Sequence, residues 1–145
     1  MTGKTYKSIY YHLVFHTKMN QPFLEDVDFR QQVYHFIKNK CKRNQFYLHE
    51  IGGIENHIHL LIYIPPRIAV SKAVQLIKGS SSYFVNQELI GDHMLYWQRG
   101  YGILTLSLRD VPFIRKYIQN QEEHHKTNKT YPDLEDINSL DDEDE

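Results

Sequence analysis

Apolar residues along the chain alternate between two spacings, and the changes of spacing mark out the elements. Ile9 to Lys18 (Ile-Tyr-Tyr-His-Leu-Val-Phe-His-Thr-Lys) is dense in aromatic and β-branched residues and predicts a strand, broken by Gln21-Pro22. From Glu25 to Arg43, Val27, Val33/Tyr34, Ile37 and Cys41 recur at helical spacing, which predicts a long amphipathic helix. Phe46 to Ile51 reads as a second strand ended by Gly52-Gly53, and Asn56 to Ile64 as a third ended by Pro65-Pro66. Val70, Ala73/Val74, Ile77 and Phe84/Val85 mark a second helix. Leu95–Trp97 and Ile103–Ser107 read as a hairpin-like pair around Gly100-Tyr-Gly102. A last helix is expected from Asp110, its N-cap, to Lys126. The resulting β-α-β-β-α-β-(β)-α order predicts an α+β, ferredoxin-like fold: an antiparallel sheet with helices on one face, plus a C-terminal helix. Many unrelated functions share that plan, so function has to come from a site.

The strand Asn56–Ile64 carries the first candidate chemistry. Period-2 alternation sends Ile58, Leu60, Ile62 and Ile64 to one face and His57, His59, Leu61 and Tyr63 to the other. Two imidazoles side by side can ligate one divalent ion, although two hydrogen-bonded or exposed histidines give the same pattern. On the last helix, Tyr117 and Gln121 are four apart and share a stripe, beside the apolar stripe Val111, Ile114, Ile118. Tyr117 is then a packing residue or a phenol nucleophile next to an uncharged oxygen ligand. A phenol is a poor nucleophile, and a metal that polarises a phosphate would supply what it lacks.

Charge is unevenly spread over the 145 residues. Met1 to Pro132 holds 17 Lys/Arg against 10 Asp/Glu, a balance of +7, whereas Asp133 to Glu145 holds 8 acids and no base. A single domain over 1–132 with an acidic, disordered tail over 133–145 is expected. The basic body suits a polyanion such as nucleic acid or merely solvates helix faces, and the tail could compete with phosphates or only aid solubility. The single cysteine, Cys41, excludes an internal disulfide and fits a reducing cytoplasm. With no long apolar run and no secretory leader, neither membrane partner nor export is expected.

These segments together are similar to a known family. His57-Ile-His59 with Tyr117-Ile-Gln-Asn-Gln121 resembles the single-tyrosine HUH transposases of insertion sequences, in which U is a hydrophobic residue. The likeness extends to His12-Leu-Val-Phe-His-Thr-Lys18, Ile51-Gly-Gly53, Asn56-His-Ile-His-Leu-Leu61 and Ile77-Lys-Gly-Ser-Ser81. Trp97-Gln-Arg-Gly-Tyr-Gly102 and Gln121-Glu-Glu-His-His125 look most like the REP-associated tyrosine transposases. The resemblance implies a ferredoxin-like fold, Mg²⁺ or Mn²⁺ held by His57, His59 and Gln121, and attack by Tyr117 on a DNA phosphate. Cleavage would leave a 5′-phosphotyrosine and a free 3′-hydroxyl, and a later attack by such a hydroxyl would rejoin strands.

The implied substrate is single-stranded DNA carrying hairpins. The implied assembly is a homodimer, in many relatives with exchanged tyrosine helices. Asn56 stands where many relatives carry Asp, the second basic residue common after the first strand is missing, and His124 and His125 are extra. Each of the two extra histidines is a ligand, a phosphate contact or a helix C-terminal cation. Expected DNA contacts are Lys78, Ser80, Ser81, Trp97, Arg99 and Tyr101, with core packing an equal role for Trp97. A domesticated relative, a catalytically silent single-strand-binding module and a plain metal-dependent hydrolase are the competing readings.

Overall fold

The computed structural model describes residues 3–137. Strands β1 (Tyr10–His16), β2 (Tyr47–Ile54), β3 (His57–Tyr63) and β4 (Gly102–Leu106) form one antiparallel sheet in the order β2-β3-β1-β4. Helices α1 (Val27–Arg43) and α2 (Val70–Tyr83) make the two crossovers of the ferredoxin-like plan. Helix α1 begins where the Asp26 carboxylate accepts the Asp28 and Phe29 N–H groups, and it ends among Lys40, Lys42 and Arg43, which suit its dipole.

The alternation read from β3 is the organising feature. Ile58, Leu60 and Ile62 join Leu13 and Phe15 of β1 beneath Phe29, Val33 and Ile37 of α1 and Ala73, Val74 and Ile77 of α2. Removing each such side chain from water contributes roughly 1.5–3 kcal/mol. The opposite face is covered by α3 (Val111–Gln119), whose Val111, Ile114, Tyr117 and Ile118 pack with Leu61 of β3. Strand β3 is therefore buried on both sides, and its two histidines lie within a sandwich rather than on a surface. No helix among the described residues is long and apolar enough to cross a membrane.

Four segments differ from the sequence expectation. Strand β2 runs through Gly52-Gly53, expected to end it, as far as Ile54. Leu95–Trp97 is not a ladder strand: Trp97 makes one isolated bridge to Thr17, and the Asn86 side-chain amide bonds both the N–H and the carbonyl of Leu95. The last helix is broken at Asn120, which starts α4 (Gln121–Lys126) by accepting the His124 N–H. Asp133, expected to open the acidic tail, instead lies in a short helix, α5 (Pro132–Glu135), whose Leu134 is buried. The rest of the expected tail, from residue 138 onward, lies outside the described residues.

Helix α3 sits close enough to the sheet to require glycine. A Cβ at Gly52 would run into the Ile118 carbonyl oxygen of α3, a backbone atom that cannot swing aside. Gly52→Ala should therefore cost about 1–3 kcal/mol by forcing α3 outward. Gly79, inside α2 with nothing near its missing Cβ, gives the contrast: Gly79→Ala should gain roughly 0.5–1 kcal/mol. Denaturant unfolding of the two variants, moving in opposite directions from wild type, checks both.

Candidate active site

The sheet, α4 and α5 bring five potential ligand side chains to one point. His57 and His59 are both buried, and each has its Nδ1 occupied. His59 Nδ1 meets His12 Nε2 at 2.8 Å, and His57 Nδ1 lies 2.8 Å from the Asn56 Oδ1. An imidazole tied at Nδ1 is fixed in orientation and presents Nε2 to whatever lies on its other side. On that side are Gln121 Oε1, 3.3 Å from His57 Nε2, and Glu135 Oε2, 3.4 Å from His57 Nε2 and 2.9 Å from His59 Nε2. His125 closes the group, its Nε2 lying 3.1 Å from Gln121 Oε1 and 3.0 Å from Glu135 Oε1. The ligand atoms of His57, His59, His125 and Glu135 all lie within 4.8 Å of one another.

A metal fits this donor set. His59 Nε2 and Glu135 Oε2 are buried, face each other, and have no hydrogen-bond partner among the described residues. Buried polar atoms are normally satisfied, so two adjacent unsatisfied lone-pair bearers are the arrangement a cation would resolve. Imidazole nitrogen with carboxylate and amide oxygen suits Mn²⁺ or Zn²⁺, and Mg²⁺ where oxygens complete the shell.

The helix break serves the site. Gln121 begins α4, and its Nε2 donates to the Tyr117 carbonyl at 3.1 Å, which turns Oε1 toward His57. Tyr117 itself is 1% exposed. Its hydroxyl donates to Glu135 Oε1 at 2.7 Å and accepts from the Tyr131 N–H at 3.2 Å. Its ring stands edge-on to His59, centroids 5.9 Å apart, and lies against His124 at 4.6 Å. Tyr117, Gln121, His57 and His59 thus meet within one chain, a point that the spacing within the helix and within the strand left open.

Sequence reasoning did not single out His12 or Glu135. Antiparallel register pairs Val14 with His59 and His12 with Leu61, which sets His12 diagonally beside His59; this becomes visible only once β1 is paired with β3. Glu135 was hidden among the tail acids. It is brought in by α5, whose end is fixed where His16 Nε2 meets the Glu135 carbonyl at 3.1 Å. The neighbouring Asp136 carbonyl crosses so close to Gly102 that any Cβ there would collide with it. Asn56 offers its Oδ1 to His57 Nδ1 as a neutral acceptor, weaker than the carboxylate of an Asp would be.

Burial dominates the electrostatics. It pushes the His12 pKa down to about 3, reinforced by His59. It pushes His59 down to about 4 against the pull of Glu135, and also lowers His125. Tyr117 is pushed up to about 12 by burial, although the Tyr131 N–H pulls the other way, so the phenol is protonated near neutrality. Burial works against ionisation of Glu135, but the imidazoles of His57 and His59 and the Tyr117 hydroxyl outweigh it and hold its carboxyl well below the usual range.

The expected DNA contacts lie elsewhere, around α2 and the segment before β4. Lys78 Nζ donates to the carbonyls of Gln98 and Gly100 at 2.8 and 3.0 Å. Ser81 is buried, bonds the Ile77 carbonyl and accepts from the Trp97 Nε1 at 2.9 Å, while Trp97 packs edge-on against Phe15. Ser80 bonds the Ile77 carbonyl, Tyr101 packs on the main core, and Arg99 is exposed. Lys78, Ser81 and Trp97 are therefore committed to holding that segment onto α2.

The depressed imidazoles make a pH prediction. An unfolded histidine titrates near 6.5, whereas His59 and His12 in the folded protein resist protonation down to about 4 and about 3. The unfolded chain therefore binds more protons as pH falls below 6.5, and stability is lost in that direction. By about pH 5 the loss should reach on the order of 2 kcal/mol per imidazole. Urea unfolding in the presence of a chelator should show it, and His12→Gln should remove about half of the dependence.

Comparison with known proteins adds a family. The family model "Transposase IS200 like" matches residues 5–121. The transposase for insertion sequence element IS200 of Salmonella typhimurium strain LT2 is 30% identical over 123 residues, covering 80% of this chain and 78% of that protein, and that of Salmonella typhi matches equally. Among solved structures, a candidate transposase from Deinococcus radiodurans R1 superposes with a TM-score of 0.61 at 24% identity, over 83% of this chain and 97% of that one. A REP-associated tyrosine transposase bound to a REP hairpin gives 0.59 at 14% identity, over 90% and 76%. These two establish a shared fold, while the family model and the Salmonella relatives span most of the sequence. The chain belongs to the IS200-like transposase family.

Proposed function

We propose that this transposase cuts and rejoins single-stranded DNA at hairpin-bearing ends through a covalent bond to Tyr117, with His57, His59 and Gln121 holding Mg²⁺ or Mn²⁺. The observation that carries the reading is that the Tyr117 hydroxyl and the Nε2 atoms of both histidines converge on the same carboxylate, Glu135. A phenol and a pair of ligand imidazoles sharing one buried point is the arrangement phosphate transfer to tyrosine needs. The bound REP hairpin in the structurally similar transposase favours hairpin DNA as the substrate.

Each residue has a definable task. His12 and Asn56 hold His59 and His57 with Nε2 inward. Gln121, steered by the Tyr117 carbonyl, contributes a neutral oxygen. The Tyr117 oxygen attacks phosphorus as its proton passes along its hydrogen bond toward Glu135 and on to solvent. The bond to the 3′ oxygen breaks, and that oxygen takes up a proton from solvent. This gives a 5′-phosphotyrosine and a 3′-hydroxyl, with no net change in the number of phosphodiester-type bonds. A divalent ion bound here would polarise the phosphate and stabilise the leaving oxygen.

Incubating the protein with hairpin-bearing single-stranded DNA and Mn²⁺ should yield a protein–DNA adduct that survives a denaturing gel. Tyr117→Phe should abolish the adduct while hairpin binding persists. His57→Ala and His59→Ala should abolish cleavage, and Gln121→Ala should weaken it less, since water replaces a neutral oxygen. Free 5′-phosphate products from the Tyr117→Phe protein would identify a plain hydrolase instead, and cleavage by neither protein a silent binding module. The resemblance also implies a homodimer. Because the four residues meet within one chain, mixing Tyr117→Phe with His57→Ala subunits should restore no activity; recovery would demonstrate exchanged helices.

A further inference from the structure

We propose that Glu135 is itself a ligand of the metal and that its second oxygen holds the Tyr117 hydroxyl, so that one carboxylate joins ion and nucleophile. This rests on the metal reading above and deepens it. His57, His59 and Gln121 are all neutral donors, whereas hard ions such as Mg²⁺ and Mn²⁺ are held mainly by anionic oxygens. The carboxylate at ligand distance from both imidazoles is that of Glu135, with Oε2 at 2.9 Å from His59 Nε2 and 3.4 Å from His57 Nε2.

Two features mark Oε2 as a donor to an ion rather than half of a finished ion pair. Oε2 and the completely buried His59 Nε2 both lack a hydrogen-bond partner among the described residues, despite their closeness. By contrast Oε1 is fully engaged, accepting from the Tyr117 hydroxyl at 2.7 Å and meeting His125 Nε2 at 3.0 Å. The carboxylate is thus divided, one oxygen turned to the nucleophile and the other to the imidazole pair. Its backbone is held independently, by His16 at the Glu135 carbonyl and by the close passage of Asp136 over Gly102, so the side chain enters the site from a fixed point.

With such a ligand the protein should load metal before DNA arrives, because it needs no phosphate to supply the negative charge. Mn²⁺ titration of the full chain without DNA, followed by electron paramagnetic resonance of the free ion, tests this. Glu135→Ala should weaken Mn²⁺ binding by about tenfold or more, given that even outer-shell partners are commonly worth that much. Glu135→Gln, nearly identical in shape, should weaken it too, which separates lost charge from lost packing; a melt of each variant confirms folding.

Unchanged or tighter Mn²⁺ binding by folded Glu135→Ala and Glu135→Gln would overturn the proposal, since an acid that merely obstructs the site releases it when removed. His59→Ala distinguishes the two levels. If His59→Ala binds Mn²⁺ as well as wild type, the metal site at the histidine pair is wrong. If His59→Ala abolishes binding while the Glu135 variants bind normally, the site stands and only the role of Glu135 falls.

Discussion

His59 has no contact with solvent, and its Nδ1 meets His12 Nε2 at 2.8 Å inside the sheet sandwich. That one hydrogen bond carries the geometry of the site. An imidazole has only two nitrogens, so occupying one on the sheet side leaves a single, fixed direction for the other. His12 is as buried as His59 and is held by the register of β1 against β3, so ring orientation is fixed by backbone pairing rather than by a mobile side chain. Asn56 does the same for His57 from the adjacent position. Burial beneath α3 and α5 keeps the His59 ring neutral and therefore able to donate its lone pair.

Much of this was legible in the sequence because it depended on short-range periodicity. The alternation from Asn56 to Ile64 was enough to place His57 and His59 together on the side opposite the main apolar layer, and the i, i+4 relation placed Gln121 over Tyr117. The family likeness supplied the roles proposed for them. His12 was not legible, since strand pairing determines which residue of β1 stands beside His59 and that is not a local property. Nor was Glu135: a run of eight acids over thirteen residues reads as solvated chain, and one buried Leu134 between them is too small a signal to reverse that. The hydrogen bonds by which Lys78, Ser81 and Trp97 hold the segment before β4 onto α2 were not legible, because their partners are carbonyls and a hydroxyl reached only after the two segments come together.

The interruption at Asn120 shows how local departures from regular structure serve position. A continuous helix would give the Tyr117 carbonyl to the Gln121 backbone N–H and leave the Gln121 amide free to rotate. With the break, the amide takes that carbonyl through its Nε2 and its oxygen is thereby aimed. Gly52 completes the arrangement from the other side: with no side chain in the way, α3 lies directly on β2, and Tyr117 comes within ring contact of His59.

Helix α5 has four residues and buries one apolar side chain, yet it carries the acid that closes the site. Native proteins open in cooperative units whose free energies run from near zero to that of global unfolding. A single turn held by Leu134, two backbone hydrogen bonds, the His16 contact and the Glu135 carboxylate belongs towards the low end of that range, while β1 and β3, paired on both edges, belong at the top. Amides of α5 should then exchange with solvent hydrogen orders of magnitude sooner than those of the central strands. The buried Tyr117, proposed above as the nucleophile, is thus roofed by a single helical turn, and admission to it can be governed by a local opening that leaves the rest of the molecule folded.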